Sequence, residues 1–285
     1  MEPILRPAAR GDAAAAGTIC YAAFKAIAEQ HAFPPDLPGP EAGIGLVGEL
    51  LAREDVYAVI AEAGGRVVGS NFLWEDESVA GVGPITVDPG VQNRRIGRKL
   101  MAAVLERARA RDIAAVRLVQ AAYHTRSLSL YTKLGFEARE PLSVMQGPAL
   151  GQNIAGHTVR PATADDLEAA DALYRRVHGH ARGVELRAAL RQGTVHVVER
   201  YGRLTGYTTG IGFFGHAIGE STADLQALIG AAPAFGGPGF LAPTRNAELM
   251  RWCLEHGLRI VQPMTLMTRG PYQEPKGAFL PSVLY

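Results

Sequence analysis

Ile85-Thr86-Val87-Asp88-Pro89-Gly90-Val91-Gln92-Asn93-Arg94-Arg95-Ile96-Gly97-Arg98 reads as a strand end, a tight turn and the first turn of a helix. Downstream, Ile96, Leu100 and Val104 fall on one i, i+4 row, and Met101, Leu105 and Ala108 fall beside it, so one broad apolar face runs from about Arg95 to Ala110. A strand that feeds straight into a helix start aims several unpaired backbone N–H groups at one spot, where the helix dipole also favours negative charge. Gly97 would let a phosphate approach the backbone without an intervening Cβ, and Arg94, Arg95 and Arg98 add cations. Alone, the same residues describe a solvated basic helix start equally well.

The flanking sequence supplies the rest of a layered unit. Ile4 to Arg6 reads as a short strand, and Asp12 is placed to cap a helix reaching about Gln30. The run Pro34-Pro35-Asp36-Leu37-Pro38-Gly39-Pro40 stops helix and sheet alike, and a second helix ends near Arg53. Val56 to Ala61, the Gly64-Gly65 turn and Val67 to Trp74 form a hairpin, and Val82 to Val87 is the next strand. After the amphipathic helix come a strand over Val116 to Ala121, a helix over 125–134, and strand again from Phe136. Strands that first meander and then alternate with helices predict an α/β (α+β) fold, a mixed sheet covered by helices.

A second constellation lies at His124, Ser127 and Tyr131, followed by Leu134-Gly135-Phe136. Spacings of three and four put the three polar side chains on one helix face, where they could line one cleft. With both stretches in order, the chain resembles the GNAT family of acetyltransferases. Val87-Asp88-Pro89, Gln92 and Gly97 match the family's Gln/Arg-x-x-Gly-x-Gly/Ala turn after a Val-x-Pro strand end, whereas Arg95 stands where its first glycine is usual. Tyr131, Gly135 and Phe136 match the Tyr-x-x-x-Gly-Phe end of the second signature, while His124 and Ser127 replace the usual asparagine and alanine. The resemblance covers roughly residues 3–145 well.

The resemblance implies a GNAT fold and acetyl-CoA as cosubstrate, with no metal. Ile85, Thr86 and Val87 would run beside pantetheine, the amides of Asn93, Arg94, Arg95, Ile96, Gly97 and Arg98 would hold the diphosphate, and Gln92, His124, Ser127 and Tyr131 would complete the cofactor site. The backbone N–H near Thr86 or Val87 is the implied oxyanion donor. Tyr131, a neutral phenol of basicity comparable to a thiolate, is the general acid. The base stays open. Glu75 leads the candidates at the hairpin end, beside Asp76 and Glu77 in what also reads as an exposed acidic turn, and the terminal carboxylate of Tyr285 ranks lower, by analogy. His31 and Phe33 in the proline loop, with Trp74, would border the acceptor pocket. The acceptor would be a primary amine of a small molecule or peptide. A non-catalytic acetyl-CoA sensor is the rival expectation.

The later sequence repeats the earlier one faintly. Leu5-Arg6-Pro7-Ala8 with Asp12 returns as Val159-Arg160-Pro161-Ala162 with Asp166, Gly65 to Gly69 returns as Gly202 to Gly206, and Leu134-Gly135-Phe136 returns as His256-Gly257-Leu258. Three matches in one order predict a duplicated unit, with domains at 1–148 and 157–285 and a linker at Gly147 to Asn153. The second copy sets Asn246 against His124 and Cys253 against Tyr131, and it lacks the glycine turn. It is therefore expected to be a degenerate GNAT-like domain that completes the substrate cavity or a homodimer contact. Gly210-Ile211-Gly212-Phe213-Phe214-Gly215 spells a dinucleotide fingerprint, but no convincing helix follows it, and His178-Gly179-His180 lacks partners at metal-site spacing.

Composition narrows the classes that remain. The 285 residues are 47% apolar and 20% charged with a formal charge of +1, which suits a globular protein and gives no electrostatic reason to expect nucleic acid or a membrane surface as partner. No apolar run approaches the roughly 20 residues of a membrane span, and the N-terminus has no secretory signal. Two distant cysteines offer neither a disulfide framework nor a cysteine zinc site, so a cytoplasmic setting is expected.

Overall fold

In the computed structural model, residues 2–76, 78–92 and 94–284 are described; Glu77, Asn93 and Tyr285, singled out above, lie outside them. The first half runs β1 (Ile4–Pro7), α1 (Ala13–Gln30), α2 (Pro40–Ala52), β2 (Val56–Ala63), β3 (Arg66–Trp74), β4 (Val79–Val82), β5 (Thr86–Val87), α3 (Ile96–Ala110), β6 (Ala115–Ala121), α4 (Thr125–Lys133) and β7 (Glu137–Gln146). The second half runs β8 (His157–Pro161), α5 (Leu167–His178), α6 (Gly183–Arg191), β9 (His196–Arg200), β10 (Arg203–Thr208), β11 (Ala217–Gly219), α7 (Thr222–Ala231), β12 (Phe240–Pro243), α8 (Ala247–Glu255), β13 (Arg259–Arg269) and β14 (Ala278–Leu280). None of the described helices is long and apolar enough to cross a membrane.

Element order confirms the repeat, and one ion-pair motif explains why the repeated letters are visible. Arg6 grips Asp12 with both terminal nitrogens at 2.8 Å and reaches Glu62 through Nε at 2.9 Å. Arg160 grips Asp166 in the same way at 2.8 Å and reaches Glu199 at 3.0 Å. The bidentate fork ties each copy's first strand to its first helix and to the neighbouring strand. Asp12 does not cap α1 with its side chain; it accepts from the backbone N–H of Ala9 at 2.7 Å, closing a short 3-10 turn ahead of the helix. Packing between α1 and α2 is close because Gly17 and Gly43 meet: a Cβ on Gly17 would stand 2.4 Å from the Ile44 Cα.

The two halves exchange strands. The larger sheet follows the order β1-β2-β3-β4-β6-β13-β7-β12, with β5 alongside β3, and the smaller follows β14-β11-β10-β9-β8. Strand β13, from the second half, lies between β6 and β7 of the first, pairing Met264 with Ala121 on one side and with Leu142 on the other. Reciprocally β7 lies between β13 and β12. Strands from both halves therefore share one continuous sheet.

One predicted strand is in fact two. Val82 to Val87 splits at Gly83-Pro84, and both pieces pair antiparallel with β3: Val82 with Leu73, then Thr86 with Ser70. Gly83 takes φ +142, a conformation that L side chains rarely adopt, and Pro84 has no N–H to give the ladder.

Candidate active site

Strand β4 pairs with β6 in parallel only from Val79–Ala115 to Gly81–Arg117. Beyond that point the strands diverge, and between them opens a cleft of about 530 Å³ lined by Val82 to Val87 on one side and Leu118 to Ala121 on the other. In β5, Thr86 is a laddered partner of Ser70, and the next such position is Asp88, whose N–H donates to Val68 at 3.0 Å. Alternation turns the N–H and C=O of Val87 away from β3. Its carbonyl accepts from the Gln92 side chain at 3.2 Å, which leaves its N–H as a donor aimed off the ladder on the cleft side.

The turn after β5 is a single 3-10 turn, Pro89–Val91, held by Asp88 accepting from Gly90 N–H at 2.8 Å; it is not a continuation of the helix. α3 then starts at Ile96 without a side-chain cap from Arg95, and Arg95, Ile96, Gly97 and Arg98 all line the cleft. Arg95 occupies the left-handed region at φ +62. The position that carries arginine instead of the usual glycine thus keeps the backbone conformation that glycine favours. Arg126, Lys133 and Gln92 also reach this end of the cleft.

At the start of α4 and along it, the three spaced residues lie close together. Ser127 Oγ lies 2.8 Å from His124 Nδ1, and Ser127 stands near enough to the Tyr131 hydroxyl to hold its phenol down against burial. Tyr131 is 6% exposed; burial lifts its phenol to about 12, and the Ser127 contact opposes that only partly. His124 is pushed down to about 4 by burial, then by Arg126 and His31, so it is a neutral imidazole at pH 7. The tyrosine is therefore a protonated donor over the working pH range, and a hydroxyl and an imidazole stand behind it.

The cleft also holds groups that sequence reasoning missed. Asp36, in the proline loop between α1 and α2, lines it, and burial raises its carboxyl above the usual range. Gln262 on β13, 1% exposed, donates from Nε2 to Asp36 Oδ1 at 2.7 Å and accepts from the Tyr123 hydroxyl at 3.1 Å. Gln120, 5% exposed on β6, also lines the cleft, with neither amide atom hydrogen-bonded. The second half contributes Phe213, Phe214, Met264, Val283 and Leu284 to the wall. A lone aspartate among prolines, or a glutamine 226 residues away in sequence, carries no spacing signal that could have marked either.

Several expected site residues lie elsewhere. Glu75 does not line the cleft: its carboxylate takes two hydrogen bonds from Arg107 on α3 and has Arg111 at 3.7 Å, so it is engaged as a structural ion pair. Trp74 is turned away as well, donating to the Gly83 carbonyl at 3.1 Å under the guanidinium of Arg53. Arg94 is not a lining residue. His31 and Phe33 sit at the rim, Phe33 stacked 4.3 Å from Tyr123, which itself lines the cleft. The glycine run at 210–215 is a close backbone crossing, since a Cβ on Gly212 would meet Gly236 at 2.8 Å, and it leads into β11 with no helix start.

Residues 24–136 match the acetyltransferase (GNAT) family. An IAA acetyltransferase of Azospirillum brasilense is 31% identical over 96 residues, 33% of this chain and 62% of that protein's length. Three solved structures share the fold over nearly the whole chain. A provisionally assigned acetyltransferase of Pyrococcus horikoshii has TM-score 0.73 at 17% identity, covering 98% of this chain and 94% of its own. A GCN5-related N-acetyltransferase of Sphaerobacter thermophilus has TM-score 0.62 at 15% identity, covering 97% and 98%. A tandem GNAT protein from the clavulanic acid biosynthesis pathway has TM-score 0.56 at 17% identity, covering 95% and 100%.

Proposed function

We propose that this chain, whose residues 24–136 match the acetyltransferase (GNAT) family and whose fold is shared with a tandem GNAT protein, moves an acetyl group from acetyl-CoA to a primary amine of a small molecule or peptide in its first half. The observation that carries this reading is a convergence on one cleft: an uncapped, cation-flanked helix start, two parallel strands that part, and a buried tyrosine beside a hydrogen-bonded serine–histidine pair.

The amides at the start of α3, with Arg95 and Arg98, hold the cofactor's diphosphate, and Gln92 with Arg126 closes the same end. Pantetheine lies in the gap between β5 and β6, which brings the thioester carbonyl toward the Val87 N–H as oxyanion donor. Attack by a neutral amine forms the C–N bond, and collapse of the tetrahedral adduct breaks the C–S bond. Tyr131 gives its proton to the departing sulfur and the attacking nitrogen gives one of its own to water; Tyr131 is then reprotonated by way of Ser127 and His124, whose Nδ1 passes a proton to Ser127 while Nε2 takes one from solvent. An imidazole held near pKa 4 serves this relay by exchanging tautomers without ever storing a charge.

The second half does no chemistry in this reading and walls the cleft instead. Where α3 starts open and cationic, α7 starts closed: Ser221 and Asp224 cap one another, and Glu220 beside them binds Arg203 and Arg176. The gap in which a second pantetheine would lie is filled by β14, which pairs with β11 and runs beside β12. Buried thiols at Cys20 and Cys253 suit a reducing cytoplasm.

Thermal-shift titration with acetyl-CoA, followed by amine-dependent thiol release, tests the proposal. Stabilisation by one equivalent of cofactor and release of CoA with an amine present are expected. Binding without release under any amine would point to a sensor, and no binding would remove the enzyme reading altogether.

A further inference from the structure

Resting on the acetyl-transfer reading and deepening it, we infer that the acceptor end of the cleft is built for a single amino group carried on an apolar body, and that the Asp36 carboxylate, aimed by Gln262 and Tyr123, is its docking group.

The aiming is legible atom by atom. A tyrosine hydroxyl that donates to Gln262 Oε1 fixes which way the amide points, so Nε2 must face Asp36. That bond occupies Oδ1, and Oδ2 has no partner among the described residues. No arginine or lysine pairs with Asp36 among them either. A carboxylate turned into a largely desolvated pocket without a cation carries a penalty that an arriving ammonium would offset. Its neighbourhood is otherwise apolar. Cys20 is close enough to feel its charge, Phe24 and Ile27 extend the same face of α1, and Met264 follows Gln262 by two residues on β13.

Charge distribution along the cleft narrows the acceptor class. Asp36 is the one acidic side chain among the described lining residues, while the cations Arg95, Arg98, Arg126 and Lys133 serve the cofactor end. A polyamine or an aminoglycoside would bring several ammonium groups to one carboxylate. An amino acid would bring its own carboxylate to a wall where nothing among the described residues neutralises it. A monoamine with an alkyl or aryl body meets neither difficulty. Independently, the unpartnered amide of Gln120 on the sheet wall gives such a ligand, or the pantetheine beside it, one hydrogen-bonding handle.

The test is isothermal titration of the wild-type protein, with and without CoA, using 2-phenylethylamine, 2-phenylethanol and L-phenylalanine, which share one body and differ in charge. The amine should bind at least tenfold more tightly than the alcohol or the amino acid, and Asp36→Asn should weaken the amine at least tenfold while leaving the alcohol unchanged. The ligand comparison needs no variant to fold. Equal affinity for amine and alcohol, preference for the amino acid, no measurable amine binding, or an indifferent Asp36→Asn would each overturn the site. Amine binding with no acetyl transfer would sink the catalytic reading and leave the site standing; transfer to the amino acid as readily as to the amine would do the reverse.

Discussion

Replacing Tyr131 with phenylalanine isolates the proton-donating step, because little else in the structure depends on the hydroxyl. The ring stays buried and keeps its edge contact with Phe136 at 6.1 Å. Ser127 keeps its bond with His124 Nδ1 at 2.8 Å, so it is not stranded, and stability should change by less than about 1 kcal/mol. General acid catalysis typically contributes about 10²–10⁴-fold. At about 1.36 kcal/mol per decade, kcat should fall by an equivalent of about 3–5 kcal/mol. Affinity for CoA should persist, since the proposed diphosphate contacts come from the start of α3 and not from the Tyr131 hydroxyl. With the phenol raised to about 12, the wild-type donor remains protonated up to that pH, and no basic fall in kcat from this group should appear below pH 10. The assay is thiol release at saturating acetyl-CoA from pH 6 to 10, alongside calorimetric CoA binding and a melting curve. A variant that folds, binds CoA and turns over within about threefold of wild type, well inside that general-acid range, would refute the role given to Tyr131.

Further expectations follow from particular contacts. Arg95→Gly relieves a left-handed backbone costing about 1–2 kcal/mol against a glycine entropy cost of about 0.5–1, so denaturant melts should show a gain of up to about 1.5 kcal/mol. Gly69→Ala sets a Cβ 2.7 Å from the Thr86 carbonyl and 3.2 Å from Leu100, so β5 must move off β3; a loss of about 1–3 kcal/mol and weaker CoA binding are expected. Asp166 is held down to about 2, first by its Arg160 hydrogen bond; this pair therefore stabilises fully above pH 3.8 and loses that contribution as pH falls toward 2. Arg160→Met should flatten that part of the acid-unfolding curve, and an unchanged curve would deny the linkage.

The first half was legible because its signals are local. The α3 stripe, the glycine hairpin turn and the proline loop each declare an element within a dozen residues, and the element order followed. Tyr131 and the start of α3 could be singled out in sequence because each belongs to a pattern with fixed spacing, along one strand-turn-helix or one helix face, and both line the same cleft. Glu75 misled because a carboxylate at a hairpin end looks alike whether it faces a cleft or an arginine on the next helix; only packing brought Arg107 to it. Asp36, Gln120 and Gln262 converge from a loop and two strands, and the β13 exchange joins residues more than a hundred positions apart. Such information resides in topology, to which periodicity is blind.

That exchange also sets a timetable for biosynthesis. The sheet that walls the cleft is missing an interior strand until residue 269 has been made, and the nascent β6 and β7 must wait with open edges facing one another. Duplication multiplied the letters without creating two independent folding units. A fragment ending at the repeat boundary would be an unfinished object, exposed to capture by whatever strand arrives first.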